Sequence, residues 1–563
     1  MDRNHSRLPG FCTRKSIARL LLGMLMLPLV ASGATASPPS SGTQGERCDL
    51  PSPQAAISSI LDSLEWDVRS VRTITNVHGE PYRQVDLAVS GRLVGCTTVD
   101  SGNNDAYLTD APDLPISNGW RATTSLRPPY QLPLTAGWVG PARLVKGMGT
   151  FRAEDGSGLD ILYPEHESAW NGKLFVIQHG GGAAMYPSLA PLVAREPGSS
   201  FDPNMSSNLF AGLMIDGGYA VVWVRQDHSG RVNRVDLEDG TTVTRRFSSH
   251  AGYELALTAF SQQFVGQQLG NRPRRTYAYG HSLGGKPWRQ VNYSPGTNGD
   301  STGRLIVDGF IVDDVASGLP IPVRFDGDSD LLFDREGERA GFVPQIDITR
   351  ALYDTDGSLL LKRENTRLLD SKGLGGKHRV YEIRGVSHFD RAQGPAATRR
   401  PESLDLGGIM EAMIDALDQW VDAGIDPSES RSDASFVASA PAIALPEIAC
   451  PLGVYYAFPP DAENAEFGSQ TTTFAAFDGA SLEPIDGRGL LVDMNENGVQ
   501  DRRESVEEAW RRLRVLGSEE AFTTARYAAC VDTAAASLAA DGLLPWRVID
   551  HYREEAARFR LSD

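Results

Sequence analysis

Long apolar runs are scarce. After residue 30 no stretch is continuously apolar for the roughly 20 residues that a helix needs to cross a bilayer, so no membrane span is expected. Basic residues are the minority charge: 54 Lys and Arg stand against 72 Asp and Glu, a formal net charge of −18, and so acidic a chain is expected to repel nucleic acid. Cysteine is rare, at five in 563 residues, and no two are spaced as zinc ligands, which excludes a zinc-stapled fold. Nor does any block recur at a fixed period, which sets aside solenoids and propellers.

With 41% hydrophobic and 22% charged residues, the composition is that of a folded globular protein. Its length exceeds what one hydrophobic core usually serves, so a core domain of roughly 250 to 300 residues with substantial additions is expected. The N-terminus carries Arg3, Arg7, Arg14, Lys15 and Arg19, then an apolar run over residues 20–30, then Ala34-Thr35-Ala36 before Ser37. This is the pattern of a cleavable secretory signal over residues 1–36. The run is too short to anchor the chain, and no Cys stands at the cleavage point to take a lipid. A periplasmic or secreted protein is expected, and the mature chain, having shed the net +4 of residues 1–36 from −18, carries −22. Export makes disulfides the default. Cys12 leaves with the signal, and of the three pairings open to Cys48, Cys96, Cys450 and Cys530, proximity in sequence favours Cys48 with Cys96 and Cys450 with Cys530.

A linker over residues 37–47 precedes a β-rich N-terminal portion, residues 48–150, with alternating runs such as residues 84–90 punctuated by Gly, Pro and Asn. From about residue 151 to 430 the pattern changes. Apolar runs at residues 174–177, 220–224, 276–279 and 305–312 alternate with helical segments, which predicts an α/β core with a mainly parallel sheet. One helix is expected over residues 249–269, leading directly into the strand at 276–279. Residues 183–216 and 320–341 are too long for ordinary loops and are expected to form lid or insertion elements. Around residues 426–440 the sequence turns to Ser, Asp, Pro and Ala, which reads as the link to a C-terminal region, residues 431–563.

The strand at 276–279 runs into Gly280-His281-Ser282-Leu283-Gly284-Gly285, a G-x-S-x-G turn whose glycines allow a nucleophilic Ser on a tight, strained bend. About one hundred residues upstream, the apolar run 174–177 ends in His179-Gly180-Gly181-Gly182. Such a turn presents free backbone N–H groups, and Gly181 and Gly182 together with the N–H of Leu283 would stabilise the oxyanion of an acyl-transfer intermediate. A serine hydroxyl is a poor nucleophile near neutral pH and needs a base; in this order of parts the acid and then a His follow the Ser. Among His378, His388 and His551, only His388 lies in a small-residue loop after a strand, whereas His378 precedes that strand. The acid should follow the strand expected over residues 342–352, which makes Asp354 the first choice and Asp356 the alternative; Asp308, Asp313 and Asp314 flank an earlier strand and rank below them.

A second motif has a different chemistry. Asp493, Asn495, Asn497, Val499 through its carbonyl, Asp501 and Glu504 occupy positions 1, 3, 5, 7, 9 and 12 of a twelve-residue loop with Gly498 at position 6, the ligand pattern of a Ca2+ site. A helix is expected to follow over residues 505–516, and the ion would staple the C-terminal region without entering the chemistry. The alternating carboxylates Asp326, Asp328 and Asp330 have Gly337 where a bidentate Glu belongs and read as an exposed acidic loop.

Taken together, His179-Gly-Gly-Gly182, Gly280-His-Ser-Leu-Gly284, residues 298–309, Gly385-Val-Ser-His388, Cys450-Pro-Leu-Gly-Val and Arg526-Tyr-Ala-Ala-Cys530 resemble the bacterial alpha/beta hydrolase domain-containing proteins over roughly residues 60–555. The resemblance implies an α/β-hydrolase fold, a serine esterase acting on a small-molecule or polymer-attached ester, no cofactor for catalysis, a C-terminal region packed on the core, and the Cys450 to Cys530 pairing. An amidase, thioesterase or acyltransferase would use the same residues. A calcium-dependent binding protein on a hydrolase scaffold is the reading from another class.

Overall fold

The computed structural model describes residues 53–98, 144–153, 157–179, 206–225, 232–236, 242–246, 251–281, 284–293, 296–314, 341–350, 369–370, 373–386, 404, 406–433, 438–456, 473–476 and 505–560. Residues Glu46–Asp563 form one compact unit. In chain order the elements are α1 (Pro53–Asp62), β1 (Glu65–Thr75), β2 (Pro81–Thr98), β3 (Leu144–Phe151), β4 (Gly158–Pro164), β5 (Lys173–His179), α2 (Ser206–Asp216), β6 (Ala220–Arg225), β7 (Val232–Asp236), β8 (Thr242–Arg246), α3 (Ala251–Leu269), β9 (Arg275–His281), α4 (Gly285–Tyr293), β10 (Gly309–Asp313), β11 (Gln345–Thr349), β12 (His378–Glu382), α5 (Gly407–Ala423), α6 (Pro446–Ala449), β13 (Gly453–Tyr456), β14 (Thr473–Ala476), α7 (Val506–Arg512), α8 (Thr524–Ala540) and α9 (Trp546–Arg558).

Among the described residues a ten-stranded sheet runs in the order β1-β2-β4-β6-β5-β9-β10-β11-β12, with β3 paired to β2. From β6 to β12 every pairing is parallel, and from β1 to β6 every pairing is antiparallel. The split follows from sequence. β4 and β6 are buried at every residue, and β9 at all but its first, as parallel and central strands covered on both faces require. The N-terminal portion, expected to be β-rich, opens with helix α1 and then adds β1, β2 and β3 to this same sheet. The hairpins β7–β8 and β13–β14 stand apart from it.

Successive side chains on a strand point to opposite faces, and each face has its own core. Leu174, Val176, Ala278 and Val312 pack with Ile57 and Ile60 of α1, Tyr253 and Leu257 of α3, and Trp288 of α4. Phe175, Ile177, Tyr277, Tyr279 and Ile311 pack with Met214 of α2, Met413 and Leu417 of α5, and Trp510, Leu538 and Ile549 of the C-terminal helices. The C-terminal region therefore shares a hydrophobic core with the parallel strands. Its approach is equally close. The segment read from sequence as a link bonds along the outer edge of β12: Arg431 N–H donates to Val380 O at 2.8 Å, and Ile443 N–H to Glu382 O at 2.8 Å. A disulfide joins Cys450 to Cys530, and the Trp510 indole donates to Pro451 O at 2.7 Å.

Strand ends differ from the sequence reading where a side chain or proline intervenes. The strand expected over 305–312 begins at Gly309 because the Asp308 carboxylate accepts the Thr276 N–H at 2.8 Å and pairs with Arg275 at 3.1 Å. The strand expected over 342–352 begins at Gln345, after Pro344, which has no N–H for the ladder.

Candidate active site

The parallel strands β5, β9, β10, β11 and β12 all end on one edge of the sheet, and the residues that continue each chain segment from that edge are the ones the sequence singles out. β5 ends at His179, ahead of Gly181 and Gly182; β9 at His281, ahead of Ser282 and Leu283; β11 at Thr349, ahead of Asp354 and Asp356; β12 at Glu382, ahead of His388. All seven of those residues lie outside the described residues. So do the loop residues Asp493, Asn495, Asn497, Val499, Asp501 and Glu504, and Cys48; Cys96 is carried on β2.

The turn around Ser282 can nevertheless be read from its two sides. A Cβ placed on Gly280 would lie 2.5 Å from Gly284 O and from Gly285 Cα, so the chain leaves β9 and turns back against its own exit within five residues. Only glycine at position 280 permits that approach. Helix α4 starts at once, at Gly285, and its third residue is Pro287, which sits in the first turn where no intrahelical N–H partner is needed. Trp288 anchors the helix in the core, fully buried, with its ring 6.2 Å from Phe310. The register pairs His281 with His179 on one side and with Asp313 on the other.

Beside this end of β9 lies a buried polar cluster. Asp313 and Arg350 are fully buried, the Arg350 Nε donating at 3.0 Å and Nη2 at 2.5 Å to the two carboxylate oxygens, and the Tyr279 hydroxyl donates to the same carboxylate at 2.6 Å. Burial raises the Asp313 carboxyl above its ordinary range; the Arg350 charge and the Tyr279 bond oppose the rise without cancelling it. Asp314, also fully buried, has a left-handed backbone at φ 42°, and its Oδ1 accepts the Arg350 N–H at 3.1 Å.

A second buried cluster braces α4. Arg289 Nη2 donates to Asp347 Oδ1 at 2.8 Å, and Asp347 Oδ2 meets His378 Nε2 at 2.8 Å. Asn292 donates to Gln345 Oε1 at 3.0 Å and accepts the Val343 N–H at 3.0 Å. His378 thus stands at the start of β12, away from the edge where β9 ends. Sequence reasoning did not assign these groups. The available signal was a charge inside an apolar strand, Ile346-Asp347-Ile348, which demands a buried partner.

Residues 256–470 match the family model described as an alpha/beta hydrolase domain. No curated protein matches the chain. Among solved structures, the chain is similar to an inhibited esterase B from Lactobacillus rhamnosis, at 15% identity over 47% of this chain and 84% of that one, with a TM-score of 0.28. It is similar at 13% identity to LpqC, a poly(3-hydroxybutyrate) depolymerase from Bordetella parapertussis, over 50% of this chain and 88% of that one, with a TM-score of 0.27. A carboxyl esterase from Tuber melanosporum is 12% identical over 47% of this chain and 81% of that one, again with a TM-score of 0.27. The fold rests on the strand order and the family match rather than on these likenesses: the matched residues 256–470 are those of an alpha/beta hydrolase domain.

Proposed function

We propose that this protein is an exported serine hydrolase that cleaves carboxylic esters through an acyl-enzyme. The observation that carries the reading is the strand-to-helix reversal bracketing Ser282, where Gly280 backs onto Gly284 and Gly285 at the end of a central parallel strand. In the proposed reaction Ser282 Oγ attacks the ester carbonyl while His388 takes its proton. The N–H groups of Gly181, Gly182 and Leu283 hold the oxyanion. His388 then returns the proton to the departing alcohol, and water, activated by the same imidazole, releases the acid. A carboxylate orients the imidazole, and the sequence offers Asp354, with Asp356 as alternative. No cofactor enters the chemistry.

Labelling by a fluorophosphonate probe, located by mass spectrometry, tests the nucleophile. Wild type should be labelled at Ser282 and Ser282→Ala should not. A well-folded wild type that resists the probe would sink the triad. Turnover of matched ester and amide substrates then separates an esterase from an amidase on the same residues.

Calcium is proposed as a structural ion in the loop Asp493 to Glu504. Support comes from its ligand spacing and from the helix that follows, whose N-cap Ser505 forms a capping box with Glu508. A melting temperature unmoved by chelator and by added calcium would remove it.

A further inference from the structure

The parallel register of β9 and β10 closes on the pair His281 and Asp313, and the residues that follow them in sequence are Ser282 and Asp314. Of the two aspartates at this strand end, Asp313 has its oxygens on Arg350 and Tyr279. Asp314 differs in kind. Its backbone lies in the left-handed region at φ 42°, which non-glycine residues adopt at a cost and which clusters at functional sites. It is locked there from two sides: its N–H donates to Ile348 O at 2.9 Å, and its Oδ1 accepts the Arg350 N–H at 3.1 Å. Its residue is fully buried.

We propose that Asp314, rather than an aspartate of the loop after β11, is the carboxylate that orients the general base of the catalytic triad. The inference rests on the Ser282 and His388 reading and refines it. An acid in this role must be desolvated, so that its charge is felt by the imidazole, and held rigidly, so that it fixes one tautomer. It must also leave the sheet beside the nucleophile. Asp314 meets the first two requirements by burial and by its two backbone bonds, and the third by the β9–β10 register. It exchanges no proton: the proton moves from Ser282 to His388 and on to the leaving alcohol, and Asp314 stabilises the imidazolium in between. It is a positioning residue acting through His388.

The test is Asp314→Asn. Asparagine keeps the Oδ1 acceptor for Arg350 N–H and tolerates the left-handed backbone, so the fold should survive, as circular dichroism and thermal melting would show. The expected result is a fall in kcat of about 10³- to 10⁴-fold with KM changed less than about threefold. Labelling of Ser282 should slow in step. The acid limb of kcat/KM should move to lower pH, because the imidazole loses a neighbour that favours its charged form; a loss of packing alone would not move it. Should the Asn variant fold poorly, Asp314→Gly, which takes positive φ without strain, should show the same loss. A folded variant that keeps kcat within about threefold of wild type, with the acid limb in place, overturns the proposal, as does a matching loss found in Asp354→Asn instead. Wild type unlabelled at Ser282 would instead defeat the reading beneath it.

Discussion

At the scale of single residues, the least expected partnership is the one that holds the helix after the nucleophile turn. Arg289 on α4 and His378 on β12 reach the two oxygens of Asp347, whose carboxylate is fully buried at the centre of β11. One carboxylate thus fixes three elements: α4, which follows Ser282 in sequence, β11 itself, and β12, which leads toward His388. A buried ion pair adds little to stability against an apolar substitute, but removing one partner leaves an uncompensated charge in the interior. Arg289→Met should therefore cost about 3–5 kcal/mol in urea unfolding. A joint Arg289→Met and Asp347→Leu change should recover most of it, and a single variant as stable as wild type would contradict the account. The glycines of the turn were legible from sequence because backbone approach is local. The partners of Asp347 were not, because residues 289, 347 and 378 meet only once the sheet order is known.

Helix α5 shows how an element is placed by both its faces. Ile409, Met410, Met413, Ile414, Leu417 and Trp420 are buried against the sheet, and a Cβ on Gly309 would lie 2.9 Å from Leu417 Cδ1, so glycine lets helix and strand approach. The same helix sends Asp418 and Asp422 to the start of β5 and β9. Lys173 pairs with Asp422 at 2.8 Å, Arg274 and Arg275 each pair with it at 2.8 Å, and the Tyr277 hydroxyl donates to Asp418 at 2.6 Å. Burial pushes the Asp422 carboxyl up, but the bonds from Lys173 and Arg275 and the charges of Lys173 and Arg274 outweigh it, leaving the group lowered from 3.8 to about 2. Because the folded value lies below the ordinary one, the stabilisation is complete above about pH 4 and is lost as pH falls toward 2. Asp422→Asn should flatten the fall in melting temperature across that window, and an unchanged slope would show that Asp422 does not carry it. Elements of this kind were legible where periodicity was strong: the helix expected at 249–269 is α3, Ala251–Leu269, and the runs at 174–177, 220–224 and 276–279 fall within β5, β6 and β9. The strand at 305–312 was read too early because the bonds that end the preceding loop at Asp308 come from Thr276 and Arg275, about thirty residues away.

For the whole molecule, the C-terminal region has no core of its own among the described residues: Trp510, Leu538, Leu543 and Ile549 belong to the cluster that contains Phe175 and Tyr277. Within that region a disulfide joins Cys450 to Cys530, which are 80 residues apart in sequence. Cross-linking over that separation removes chain entropy from the unfolded state, by a contribution of about 2–5 kcal/mol for a native bond of this kind. Since the helices it secures pack directly on the sheet, reduction should not melt them as a separate domain. A single cooperative transition, shifted to lower temperature in Cys530→Ser and in the reduced wild type alike, is the expected outcome of calorimetry. Two resolved transitions, with the hydrolase core unmoved, would mean that the C-terminal helices and the sheet are energetically independent despite their shared core.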